Sequence, residues 1–141
     1  MGSRRNGREA ALQLLYQIEL SGDRSETAVS DFWSTRTEPP TEERDFAERL
    51  VKDVLARLDS IDSMISACAD NWQIDRISRM ELNVLRIGVS ELTDADETVP
   101  AEVVVNEAVD IARRYCDASG PAFVNGVLDR VARDQGAFSN E

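Results

Sequence analysis

Arg4, Arg5 and Arg8 are the side chains with the clearest chemical capacity. No acid stands among the first eight residues, in a chain whose 16 basic and 27 acidic side chains leave a net charge of −11 at pH 7. Guanidinium groups present planar forks that match phosphate oxygens, and they stack on unpaired bases, which is how single-stranded RNA is commonly held. Phosphates are drawn to such a spot because neutralising them releases counterions, while the remaining acidic surface repels them. If a helix begins there, Arg5 and Arg8, three residues apart, share a face, and Arg4 reaches in from the start of the chain. A disordered basic start is the alternative, and the residues alone leave both readings open.

Other chemistry is scarce. The chain has no histidine, which removes imidazole catalysis and the usual zinc ligand sets. Cys68 and Cys116 lie far apart, form no Cys-x-x-Cys pair, and read as small buried hydrophobes. Glu42 and Glu43 suit the start of a helix, where the dipole favours acids. Asp94, Asp96 and Glu97 fall in a charged loop that lacks the ligand ladder and glycine of a calcium site. There is no Gly-rich phosphate loop, nucleophile elbow or dinucleotide fingerprint. No catalytic residue, cofactor or metal is therefore expected. Lys52 is the only lysine beside fifteen arginines, a skew that GC-rich coding and a salt-adapted surface explain equally well.

The elements that would position the arginines are helical. Ala11, Leu14, Leu15 and Ile18 recur at helical spacing and predict a first helix that stops near Ser21-Gly22. A short helix over Glu26 to Thr35 would bury Val29, Phe32 or Trp33. Thr37-Glu38-Pro39-Pro40 is the clearest break, since two prolines exclude helical geometry before them. Phe46, Leu50, Val51, Val54, Leu55 and Leu58 predict a third helix, and Ile61, Met64, Ile65 and Cys68 a fourth. Residues 70–77 read as a connection, after which Ser78-Arg79-Met80-Glu81 fits a capping box. The fifth helix would turn Met80, Val84, Leu85, Gly88 and Leu92 inward. Gly88 costs about 1 kcal/mol against alanine in a helix interior, so a close helix–helix approach is expected there. Pro100 and Pro121 suit the first residues of a sixth and a seventh helix. Val104, Ala108, Ile111 and Tyr115 would line the sixth, and Phe123, Val124, Val127, Leu128 and Val131 the seventh. The tail from Asp134 is expected to fray.

No segment alternates with the period of a strand, so the fold class expected is all-α, with about seven helices. Length, with 42% hydrophobic residues, suits one domain over residues 1–141 with a core of its own. No apolar run nears the roughly 20 residues of a membrane span, and the start lacks a secretory signal, which makes cytoplasm the default.

Several segments taken together resemble the NusB family of transcription antitermination factors. They are Arg4-Arg5-Asn6-Gly7-Arg8-Glu9 with Ala11-Leu12-Gln13-Leu14-Leu15-Tyr16-Gln17, and Asp45-Phe46-Ala47-Glu48-Arg49-Leu50-Val51. Val84-Leu85-Arg86-Ile87-Gly88 with Glu91-Leu92 follows, then Val99-Pro100 and Val105-Asn106-Glu107-Ala108-Val109. The last is Phe123-Val124-Asn125-Gly126-Val127-Leu128-Asp129. The likeness runs in order over about residues 4 to 133.

The resemblance implies two small packed helical bundles, over about residues 4–70 and 78–133. It also implies RNA binding without catalysis. The partners would be the single-stranded boxA element of ribosomal RNA leaders, the small-subunit ribosomal protein NusE, and the antitermination complex on RNA polymerase. Carried over by position, Arg4, Arg5, Arg8 and Phe123 would meet RNA, while Tyr16 and Glu81 would meet NusE. Phe123 could equally be core, Tyr16 half-buried core with its hydroxyl at the edge, and Glu81 half of a helix cap. Asn106, Glu107 and Asn125 read as a polar network between the sixth and seventh helices. Gly7 replaces the family's usual alanine and should loosen the arginine-bearing turn. Ala122 stands where a lysine is common, and Glu102 where a basic residue often follows the proline. Monomer and homodimer both stay open, and a helical protein–protein adaptor without RNA binding is the alternative function.

Overall fold

Seven α-helices and one 3-10 turn make up the computed structural model, which describes residues 3–36, 40–69, 74–94 and 99–136. Helix α1 spans Ser3–Ser21 and ends where Gly22 adopts a φ of 73°, a left-handed conformation that suits a residue without Cβ. Helix α2, Glu26–Ser34, is capped by Ser25, whose Oγ accepts from the Ala28 N–H. It buries both Phe32 and Trp33, packed edge to face with centroids 5.1 Å apart. The Trp33 indole N–H is buried without a partner among the described residues. Residues 37–39 of the expected proline break lie outside the described residues, and Pro40 opens α3, Thr41–Ala56.

Leu58, expected at the end of the third helix, is instead the first residue of α4, Leu58–Cys68. The chain bends at Arg57, which is pinned there. Its guanidinium donates to Asp53 at 2.9 and 2.6 Å and to Thr93 Oγ1 at 2.9 Å, so a polar clamp sets a boundary that apolar periodicity runs straight through. A 3-10 turn at Ile74–Arg76 leads to α5, Arg79–Leu92. Helices α6, Ala101–Tyr115, and α7, Gly120–Asp134, follow Pro100 and carry Pro121 in the first turn, respectively.

Helix α5 is the hub, packing against α1, α3, α4, α6 and α7. Every residue from Asn83 to Ser90 is buried, so the single inward face expected from sequence is too narrow. Its polar members form a ladder at positions i, i+3 and i+7. Asn83 donates to Glu19 at 3.0 Å, Arg86 reaches Asp62 and Glu19 at 2.8 to 2.9 Å, and Ser90 donates to Asp53 at 2.6 Å. A helix enclosed on all sides can keep such groups only if each is bonded, because an unpaired buried polar group costs about 1–3 kcal/mol. Leu12, Leu85 and Leu128 are fully enclosed in the same core, each contributing about 1.5–3 kcal/mol by leaving water.

Two glycines set helix separations. A Cβ on Gly88 would sit 2.7 Å from Leu128 Cδ1, the close α5–α7 approach that its place in a helix predicts. A Cβ on Gly7 would lie 2.7 Å from Phe46 Cδ2 and 3.2 Å from the Glu43 carbonyl. The expected loosening at Gly7 is therefore reversed, because the glycine lets the arginine-bearing turn lie directly on α3.

Candidate nucleic-acid interface

The first turn of α1 holds its three arginines in three different environments. Arg4 is exposed, with Cζ 4.9 Å from the centroid of the Phe46 ring. Arg5 is half-exposed and makes a fork to Glu107, with 2.9 Å bonds from Nε and Nη2, while Nη2 also reaches Asp110 at 2.8 Å. This guanidinium holds the Glu107 carboxyl below the usual carboxylate range, the hydrogen bond being the largest cause and burial opposing it. Arg5 in turn is raised further above its ordinary value, first by the same bond.

Arg8 points inward. Its side chain is 4% exposed and forks onto Glu91, 7% exposed, at 2.6 and 2.8 Å, with Glu107 at 3.7 Å. It therefore ties α1 to α5 and α6 from below the surface. The expected network between α6 and α7 takes another form: Glu107 faces α1, while Asn106 and Asn125 are exposed. Further along, Glu9 pairs with Arg114, and Gln13 donates to the Tyr115 hydroxyl at 3.0 Å. A seam of long polar side chains thus runs up α1 and α6 from Arg5 toward the α6–α7 connection.

Phe123 lies in the first turns of α7, half-buried and packed against the core. Tyr16 is exposed on α1 together with Leu20, one turn later, and these are two of the large apolar side chains facing solvent. Ser78 caps α5 by accepting from the Glu81 N–H at 3.1 Å. The Glu81 carboxylate turns toward α7, where a Cβ on Gly120 would come within 3.2 Å of Oε2. Burial, then Glu81 and Asp117, push the adjacent Cys116 thiol up to about 11, which keeps it a thiol at neutral pH.

Sequence reasoning missed the surroundings of Phe46. This ring is ringed by the guanidinium carbons of Arg4, Arg8 and Arg49, at 4.9, 5.5 and 5.5 Å from its centroid. Beside it opens a cavity of about 490 Å³ between α3 and the end of α5. The arginines and the phenylalanine were visible in sequence, but nothing local places α1 over α3. Among the described residues no group of histidine, cysteine and acidic side chains could hold a metal, and no helix is long and apolar enough to cross a membrane.

The fold and this site define an all-α module whose first helix presents arginines beside an aromatic-edged cavity. The NusB family model matches residues 5–133, and the chain belongs to the NusB family. It is 42% identical to the transcription antitermination protein NusB of Sorangium cellulosum, over the whole of this chain and 99% of that one. Among solved structures, T. maritima NusB superposes with a TM-score of 0.81 at 32% identity, covering 93% of this chain and 91% of that chain. A structure of the antitermination factors NusB and NusE in complex with dsRNA gives a TM-score of 0.84 at 28% identity, covering 95% of this chain and 98% of that chain.

Proposed function

We propose that this chain is an RNA-binding transcription antitermination factor that binds the boxA element of ribosomal RNA leaders together with NusE. In that role it helps assemble the antitermination complex on RNA polymerase. The observation that carries the reading is the concentration of arginine at the start of α1 in a NusB-family chain that is otherwise acidic. The likeness to a NusB–NusE pair solved with RNA supports both partners.

In this reading Arg4 meets phosphate and base directly. Arg5 does so by exchanging Asp110 or Glu107 for a phosphate. Arg8 holds the turn in place from beneath. Phe123 offers a ring for a base to stack on, and the exposed Tyr16 surface with Glu81 receives NusE. No step of catalysis is involved. With so few accessible arginines and an acidic surround, the chain alone binds RNA weakly and with strong salt sensitivity, and NusE raises the affinity.

Fluorescence anisotropy of labelled boxA RNA against a scrambled RNA, with and without NusE over a salt series, tests this. Preference for boxA, strengthened by NusE, is the expected result. Equal weak binding to both RNAs, unchanged by NusE, would overturn it in favour of a helical adaptor that does not use RNA. Sedimentation of the protein with and without RNA reports whether the binding species is a monomer or a homodimer.

A further inference from the structure

The geometry points to a second nucleotide-binding site, formed by Arg4, Arg49 and the Phe46 ring at the mouth of the cavity between α3 and α5. It would take one nucleotide of a single-stranded RNA, with the phosphate outside on the two arginines and the base inside. The inference rests on the RNA-binding reading and adds to it a subsite on α3, away from the α6 seam.

Three observations carry it. First, Arg4 and Arg49 are both exposed, both lie within 5.5 Å of one aromatic centroid, and neither pairs with an acid among the described residues. Most arginines near them are committed: Arg5 to Glu107 and Asp110, Arg8 to Glu91, Arg57 to Asp53. Two guanidiniums from different helices converge on one ring with no acidic partner among the described residues, which leaves their N–H groups open to a phosphate. Second, the adjoining cavity, about 490 Å³, falls in the range of roughly 300–1,000 Å³ that encloses small ligands. Its walls include the apolar Leu50 and Val99, which suit the flat faces of a base.

Third, the acids that reach the cavity are partnered in ways that leave it able to accept anions at the mouth. Asp53 accepts from Arg57 and Ser90, Glu91 from Arg8, and Asp94 faces Arg57. A carboxylate has about four acceptor sites, and Asp53, 38% exposed at the cavity wall, can accept from an exocyclic amino group there. Cytosine, adenine and guanine carry such a group, and uracil does not. The site is thus a pocket for an amino-bearing base with its phosphate held at the rim, the combination by which proteins hold unpaired nucleotides.

A cycle that crosses protein and RNA variants tests this. BoxA RNA is measured by anisotropy, with NusE present, against the parent chain, Arg49→Ala, Arg49→Lys, and Arg133→Ala as a control of equal charge. The RNA is also made with each base removed in turn. Arg49→Ala is expected to weaken binding about fivefold or more and to flatten the log–log salt slope by about 0.7. One base position should lose affinity on removal in the parent chain and lose none in Arg49→Ala. Arg49→Lys should keep the salt slope but lose part of the affinity and of that coupling, because an ammonium cannot fork onto the phosphate and fix the nucleotide's position. An unchanged thermal midpoint for both variants confirms that the fold is intact.

If the parent chain binds RNA and Arg49→Ala binds it with parental affinity and slope, the subsite is refuted while RNA binding stands. The subsite is equally refuted if the slope falls but every base removal is additive with the mutation. If the parent chain and NusE bind no RNA at all, both this inference and the reading beneath it fail.

Discussion

Replacing Arg8 with alanine separates its structural role from any direct RNA contact. The substitution leaves the Glu91 carboxylate, 7% exposed, without the guanidinium that forks onto it at 2.6 and 2.8 Å. Removing one partner of a buried ion pair costs about 3–5 kcal/mol, because the remaining charge stays desolvated and unpaired. Unfolding entropy near 2.1 cal/mol/K per residue gives about 0.3 kcal/mol/K for a chain of this length, so Tm should fall by roughly 10–17 °C. Arg4→Ala removes only an exposed contact with an aromatic ring, worth about 0.5–1 kcal/mol, and should shift Tm by at most roughly 3 °C. The double variant Arg8→Met with Glu91→Leu removes both charges and should recover most of the loss. Thermal and urea unfolding followed by far-UV circular dichroism measures all three. An Arg8→Ala chain that melts within about 3 °C of the parent while losing RNA affinity would refute the argument and return Arg8 to the binding surface.

Gly7→Ala should destabilise by about 1 kcal/mol, since overpacking against Phe46 and the Glu43 carbonyl costs about 1–3 while helix propensity returns about 1; a rise in Tm would contradict the close α1–α3 approach. Asp53 is held below its ordinary value first by its bond from Arg57, and Glu107 by its bond from Arg5. Carboxyls lowered in the fold contribute stability that is complete above about pH 5 and is lost as pH falls through their folded values. Urea titrations from pH 6 downward should therefore show falling stability, with a shallower fall in Asp53→Asn and Glu107→Gln; parallel curves would remove these groups from the acid response. With its thiol pushed up to about 11, Cys116 should alkylate at pH 8 about 100-fold more slowly than in the urea-unfolded chain, as peptide mass spectrometry would resolve; equal rates would place the thiol in water.

The helices were legible because apolar residues at a 3.6 spacing report burial directly, and the stop at Gly22 and the starts at Pro40 and Pro100 report themselves. The ladder on α5 was not, because Asn83, Arg86 and Ser90 look like a solvated stripe until their partners arrive. Those partners, Glu19, Asp62 and Asp53, stand 24 to 67 residues away in sequence. Arg8 is a different case, since its signal was present and outweighed. It falls on the stripe Arg8, Ala11, Leu12, Leu15, whose other members are buried, so helical spacing alone places it inward. Grouping it with Arg4 and Arg5 by charge hid that phase. In the Phe46 cluster only Arg49, three residues on along α3, had a local signal; Arg4 and Arg8 stand more than 35 positions from the ring, and the register of α1 on α3 brings them to it.

The acids on α6 then account for how so acidic a chain keeps arginines poised at one end. Glu107 and Asp110 hold Arg5 by hydrogen bonds to its guanidinium, but they also occupy the sites a phosphate would take. On the proposed function, binding RNA through Arg5 would be an exchange of one anion for another, with a smaller net gain than that of a free guanidinium. Asp110 is the exchangeable partner: it is 41% exposed and shared with Arg113, whereas Glu107 is more enclosed and also faces Arg8. Asp110→Asn should therefore tighten RNA binding about 1.4- to 5-fold, the equivalent of an exposed ion pair of about 0.2–1 kcal/mol. The gain should shrink as salt rises and screens the competing carboxylate. If Asp110→Asn weakens binding instead, the carboxylate serves to position Arg5 for RNA rather than to compete with it, and the exchange argument fails.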